Sequence, residues 1–204
     1  MSVYNPIAAQ TIELPAPDTR GGKSLAEAIA QRHSTREFDP KREISGQQMS
    51  DLLWSAAGVN RPESGMRSNP TAMNTQEIDL YVFTADGVYL YNALANTLEK
   101  RADGDHRALV AGNSKFTQDF VLDAPISVVM VADLGRFETP SDFNHTMAAI
   151  DAGIVSENIC LYCSAAGLAT VPRVTMDAEG IKKLLKLSDA HVPFINNPVG
   201  YAKP

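Results

Sequence analysis

The chain is poor in cysteine. Two in 204 residues, Cys160 and Cys163, exclude a disulfide-stapled scaffold and suit a reducing compartment. It has no surplus of positive charge either. The 18 Lys plus Arg stand against 24 Asp plus Glu, for a net charge of −6. A general binder of nucleic acid or of an anionic membrane needs a basic field, so neither class is expected. Any phosphate ligand must be held by a few placed cations. Long apolar runs are missing too. The longest strongly apolar stretch, Ile126 to Ala132, is far too short to span a bilayer. The first residues, Met1-Ser-Val-Tyr-Asn-Pro, carry no basic segment followed by an apolar one. No signal peptide is expected, and the expected location is cytoplasmic.

Several catalytic signatures are absent as well. There is no G-x-G-x-x-G, which argues against a Rossmann dinucleotide site, and no G-x-S-x-G of the common hydrolases. Gly22-Lys23-Ser24 looks like the end of a P-loop, but Pro17 stands where the first glycine belongs. The nest of backbone N–H groups then cannot form, and Ser24 reads as a helix cap. Cys160 and Cys163 form a C-x-x-C within an apolar helical pattern, with no second pair to complete a zinc site. They read as two small buried side chains. His106, His145 and His191 are scattered and read as surface or capping residues. No side-chain nucleophile and no metal site is expected.

What is present is the composition of a globular domain, 44% hydrophobic and 21% charged. Residues 1–23, with three prolines and Gly21-Gly22, read as an extended arm before a single domain at 24–204. Capping boxes at Ser24/Glu27 and Ser45/Gln48 open two helices. Residues 61–75 read as a long loop. Ile78 to Thr84 alternates as a strand and turns at Asp86-Gly87 into a second, 88–91. Residues 92–120 read as a polar, mostly helical excursion, and 126–132 as a central strand. Phe143 to Leu168 is the longest helix candidate, apolar on nearly every side from Met147 onward, so it belongs in the core or at a subunit interface. A helix at 177–187 and a strand at 194–201 close the chain.

Arg32-His33-Ser34-Thr35-Arg36-Glu37-Phe38-Asp39 is the stretch richest in chemistry. Two arginines four apart, with a histidine and a serine between, can aim several donors at one anion. The plain alternative is a solvated basic helix end. The stretch alone leaves both open.

R-H-S-T-R-x-F-D closely resembles the amino-terminal signature of the FMN-dependent nitroreductase family. Three further segments follow in that family's order. Pro70-Thr71-Ala72-Met73-Asn74-Thr75-Gln76 resembles its P-S-x-x-N-x-Q loop. Asp151-Ala152-Gly153 through Gly167 to Pro172 resembles its central helix and following turn, and Pro198 to Tyr201 its closing strand. The segment Leu52 to Pro62 looks more like the branch holding the dehydrogenase component of thiazole- and oxazole-forming enzymes.

The resemblance implies an α+β nitroreductase-like fold, a central, mainly antiparallel sheet with helices on both faces. It implies FMN as cofactor. Arg32 and Ser34, with His33 alongside, would hold the phosphate and ribityl chain, and Arg36 the N1/O2 edge of the ring. Pro70, Thr71, Ala72, Asn74 and Gln76 would come from the second subunit of a homodimer, with FMN at the interface. Thr71-Ala72 replaces the two serines often found there. Pro172 and Arg173 would place backbone N–H near flavin N5, and Lys203 would complete the phosphate site. The implied activity is ping-pong hydride transfer from NAD(P)H through FMN N5 to a nitroaromatic, quinone or enone. The alternatives are an azoline-type dehydrogenase, or a flavin-binding partner subunit or redox sensor without turnover. A flavin performs the hydride chemistry itself, which suits the missing catalytic signatures.

Overall fold

The computed structural model describes residues 10–139 and 141–204. Residues 1–9 of the expected arm lie outside the described residues. In chain order the strands are β1 (Thr11–Glu13), β2 (Val59–Arg61), β3 (Met66–Arg67), β4 (Ile78–Phe83), β5 (Gly87–Asn92), β6 (Thr97–Asp103), β7 (Gly112–Asn113), β8 (Phe116–Thr117), β9 (Ile126–Asp133), β10 (Ala169–Thr170) and β11 (His191–Gly200). The helices are α1 (Leu25–Gln31), α2 (Gly46–Ala57), α3 (Arg107–Ala111), α4 (Asp142–Ala166) and α5 (Ala178–Leu185).

Seven strands form one sheet in the order β1-β6-β5-β4-β9-β11-β10. Every neighbouring pair in it is antiparallel. Strand periodicity splits the core into two layers. Ile78, Leu80, Val82, Val128 and Met130 face α2 and α4. Tyr81, Phe83, Val129 and Val131 face the side that carries α3 and α5. The α+β architecture with helices on both faces is the expected one.

Local chemistry explains the elements that sequence reading located. Both capping boxes form: Ser24 and Glu27 start α1, and Ser45 and Gln48 start α2. Thr84 Oγ1 accepts from the Asp86 and Gly87 N–H groups and tightens the β4–β5 turn. Gly167, at φ 71°, caps α4 in the left-handed region where only glycine is unstrained.

Three differences have physical causes. Residues 92–120 are not mainly helical, because β6 runs through them within the main sheet. Asn92 accepts from the Leu94 and Ala95 N–H groups, and Asn96 takes φ +53°. That turn folds Leu98 and its neighbours back onto β5, and pairing overrides the helical propensity of Leu-Glu-Lys. The described part of the arm does not stand free. β1 pairs with β6, and the Pro15 carbonyl accepts from Asn96 Nδ2 at 2.9 Å while that of Ala16 accepts from Gln47 Nε2 at 2.9 Å. Third, α4 is buried along one stripe only, Ala148, Ala152, Val155, Ile159 and Cys163. Its opposite stripe carries Phe143 (66% exposed), half-buried Met147, Ile150 (52%) and half-buried Ile154.

Candidate functional site

The chain leaves α1 at Arg32, whose N–H still donates to Ala28 O at 2.9 Å. The next residues run extended because β10 and the two residues that follow β11 hold them. Thr35 N–H donates to Thr170 O at 3.0 Å, Phe38 bridges Ala202, and Asp39 N–H donates to Tyr201 O at 2.8 Å. A cavity of about 230 Å³ opens beside this segment, lined by Lys23, Arg32, His33, Thr35, Cys160 and Ser164 among others. Arg32 is half-buried; Ser34 and Arg36 are exposed next to it. Among the described residues, neither guanidinium has a hydrogen-bond or ion-pair partner, and neither does the Ser34 hydroxyl. His33 Nδ1 lies 2.8 Å from Gln31 O. Two uncompensated arginines in an acidic chain are what an anion site requires.

The remaining cations sort differently from expectation. Lys203 does not line the cavity; its Nζ pairs with Asp123 at 3.2 Å. Lys23, read from sequence only as a P-loop remnant, does line it. Its ammonium donates to Gln31 Oε1 at 2.7 Å and to Ser164 O at 3.1 Å, leaving a third donor over. Arg173 does not line the cavity. Its side chain is buried and gives four hydrogen bonds, to Gln118, Val110 O, Ala111 O and Asn196. Burial pulls its pKa down to about 10, still charged at neutral pH. Its backbone N–H donates to Asn196 O at 2.9 Å and so is not available to a ligand. Pro172 and Val174, on either side, are exposed. Cys160 and Cys163 form the buried floor; burial and, less, Glu157 push the Cys160 thiol up to about 11, and burial pushes that of Cys163 well above the usual range.

The second motif is built elsewhere. Thr71 Oγ1 accepts from Gln76 N–H at 3.1 Å, and Ala72 N–H donates to Asp151 Oδ2 of α4 at 2.7 Å. Between them Met73, Asn74 and Gln76 take φ of 54°, 55° and 49°. Gln76 Nε2 donates to Gly65 O at 3.2 Å, and Arg136 Nη1 donates to Gln76 O at 2.7 Å. Met73, Asn74, Arg136, Phe137 and Asn144 line a second cavity of about 640 Å³. Asn144 sits in the first turn of α4, whereas Cys160 and Ser164 of the first cavity sit near its last. The 16 residues of helix from Asn144 to Cys160 span roughly 24 Å at about 1.5 Å per residue. One chain therefore does not bring Asn74 and Gln76 to Arg32.

Comparison with known proteins identifies the family and the fold. The sequence profile described as "Nitroreductase family" matches residues 29–201. A nitroreductase-like protein of Ralstonia eutropha JMP134 is 35% identical, with a TM-score of 0.86 over 95% of this chain and 90% of that one. A nitroreductase family protein of Clostridium difficile 630 has 22% identity and a TM-score of 0.63, covering 89% of this chain and 86% of its own. A chain of the Escherichia coli microcin synthetase McbBCD complex has the same fold, with 17% identity, a TM-score of 0.70, and coverage of 100% here and 79% there. A comparison with curated proteins returned no match. The matched span, the sheet and the 35% identical relative together place this chain in the nitroreductase family, whose members are in general flavin-dependent oxidoreductases.

Proposed function

We propose that the protein is an FMN-dependent NAD(P)H oxidoreductase that works as a homodimer with FMN between its subunits. The observation that carries this is the pair of guanidiniums of Arg32 and Arg36, with the Ser34 hydroxyl, left without protein partners among the described residues beside a cavity. This donor set fits FMN: Arg32, Ser34 and Lys23 suit a phosphate and polyol, and Arg36 suits the polar ring edge. Bound FMN supplies hydride acceptance and donation at N5. The chain's own residues bind it, orient it and set the charge around it.

Two copies are needed for a complete site on this reading. Packed antiparallel about a two-fold axis through the exposed stripe of α4, each copy presents its Asn74 and Gln76 to the other's Arg32 cavity. Phe143, Met147, Ile150 and Ile154 then become buried, as an isologous apolar interface requires. The acceptor class is a nitroaromatic, quinone or enone.

The test is the spectrum and mass of the co-purifying ligand, then reduction by NADH or NADPH followed at 450 nm. Bleaching by the nucleotide and reoxidation by a quinone or nitroaromatic is the expected result. A flavin that NAD(P)H does not reduce makes the protein a flavin-binding subunit, and a colourless protein that does not take up added FMN overturns the reading.

A further inference from the structure

Glu77 is fully buried, 0% exposed, directly after the Asn74–Gln76 loop. Its Oε2 accepts from Thr75 Oγ1 at 2.6 Å. Its Oε1 has no partner among the described residues. The carboxyl of Asp151, buried on α4 and bonded to the same loop, lies near enough to push the Glu77 carboxyl up. Asp151 Oδ2 already accepts the Ala72 N–H. Two carboxylates cannot both be charged here without strong repulsion in a site of low dielectric. One proton placed between them removes the repulsion and satisfies the orphaned oxygen of Glu77 at the same time.

The other charged groups nearby do not replace that proton. Arg67 on β3 gives Nη1 to Ile78 O and makes no ion pair with either carboxyl among the described residues. Asp79 on β4 is paired with Arg136, which also bonds Asp133 at 3.3 Å. Tyr91 on β5 faces Arg67 and stays neutral, burial having raised it to about 12. Burial is the main cause that pushes the Glu77 carboxyl above its ordinary range; the hydrogen bond from Thr75 pulls it back, and Asp151 pushes it further up.

We propose that Glu77 and Asp151 share a single proton and act together as the positioning element that fastens the Thr71–Gln76 loop to α4. Three left-handed residues in that loop store strain that must be held by something outside it. The protonated Glu77 donates to Asp151, Asp151 accepts the Ala72 N–H, and the other Glu77 oxygen accepts from Thr75. Both ends of the strained segment are thus tied to one shared proton. That this loop reaches a partner's flavin rests on the proposed function; the shared proton does not.

Because the folded carboxyl titrates above its unfolded counterpart, folding takes up a proton in the window between the two values. Stability is therefore present in full below that window and falls as pH rises through it. The experiment compares wild type with Glu77→Gln and Glu77→Ala by thermal unfolding from pH 5 to 9 and by hydrogen exchange at the Ala72 amide. Glu77→Gln donates to Asp151 through an amide that cannot lose its proton in this range. Wild type is expected to lose thermal stability and to exchange at Ala72 roughly 10-fold faster or more at the alkaline end. Glu77→Gln is expected to be flat and protected throughout, and Glu77→Ala unprotected at every pH. Equal pH dependence in wild type and Glu77→Gln overturns the proposal, and the comparison stands even where Glu77→Ala does not fold. A protein with this titration that never binds FMN overturns the proposed function and leaves the shared proton intact.

Discussion

Arg32 stands half-buried at the first cavity with no protein partner among the described residues, while Lys203 is occupied by Asp123. Arg32→Ala should therefore cost roughly 1.5–3 kcal/mol, or about 10- to 150-fold in FMN affinity. Lys203→Ala should leave affinity almost unchanged, and Lys23→Gln should weaken FMN more than riboflavin, all by equilibrium dialysis. Arg36 is the second residue with a separable effect. A guanidinium at the N1/O2 edge favours the more negative, reduced ring. Arg36→Ala should lower the two-electron potential by about 30–65 mV in a dye-referenced titration. A third prediction concerns the floor of the cavity. With Cys160 titrating at about 11, its thiolate is scarce at pH 8, so a disulfide reagent should react slowly with the native protein. The rate should rise with pH up to that value, and unfolding should expose both thiols at once. Why Arg32 and Arg36 were legible in the sequence and Lys23 was not is a matter of range. The arginines fall within one five-residue stretch, whereas Lys23 meets Ser164 only after α1 docks on the end of α4. Glu77 and Asp151 are likewise distant, 74 positions apart, and nothing local marks either of them.

Helix α4 shows how an element can be read correctly and its surroundings missed. Its apolar composition and its Gly167 cap are local, so its extent was readable almost to the residue. Which of two apolar stripes meets the sheet is decided by β4, β9 and β11, which lie outside the helix in sequence. The reverse holds for β6, where helix-forming residues became a strand because the Asn92–Asn96 turn delivered them to β5. The exposed stripe yields a prediction. Ile150→Glu alters a residue that is 52% exposed in the single chain, so the monomer should keep its fold and thermal stability within about 0.5 kcal/mol. Buried in a two-fold interface, the same charge would meet its own copy. Light scattering should show a monomer, and the flavin should be lost with the dimer.

The whole molecule divides its candidate site between the two ends of one long helix, and on the proposed function this makes cofactor retention a property of the assembly. Dilution of the wild type below its dimer dissociation constant should release flavin in step with subunit dissociation, read by recovery of flavin fluorescence. The motifs were legible because each is compact in sequence. That two of them serve different subunits is what the resemblance implies, and the length of α4 is what keeps them apart within one chain. The position of β11 has a different consequence. This strand lies between β9 and β10 and pairs with β9 from His191 to Val199, yet it is formed by residues 191–200. Its insertion covers Val199 and joins Phe38, near the start of the sheet-bearing unit, to Ala202. As the chain emerges from the ribosome, β4, β5, β6 and β9 can pair while one side of β9 stays open, with its backbone groups and the apolar face beneath α4 unsealed. Closure waits until residues 191–200 have been synthesised, so the nascent chain passes through an interval in which a chaperone or a neighbouring chain can compete for that open edge.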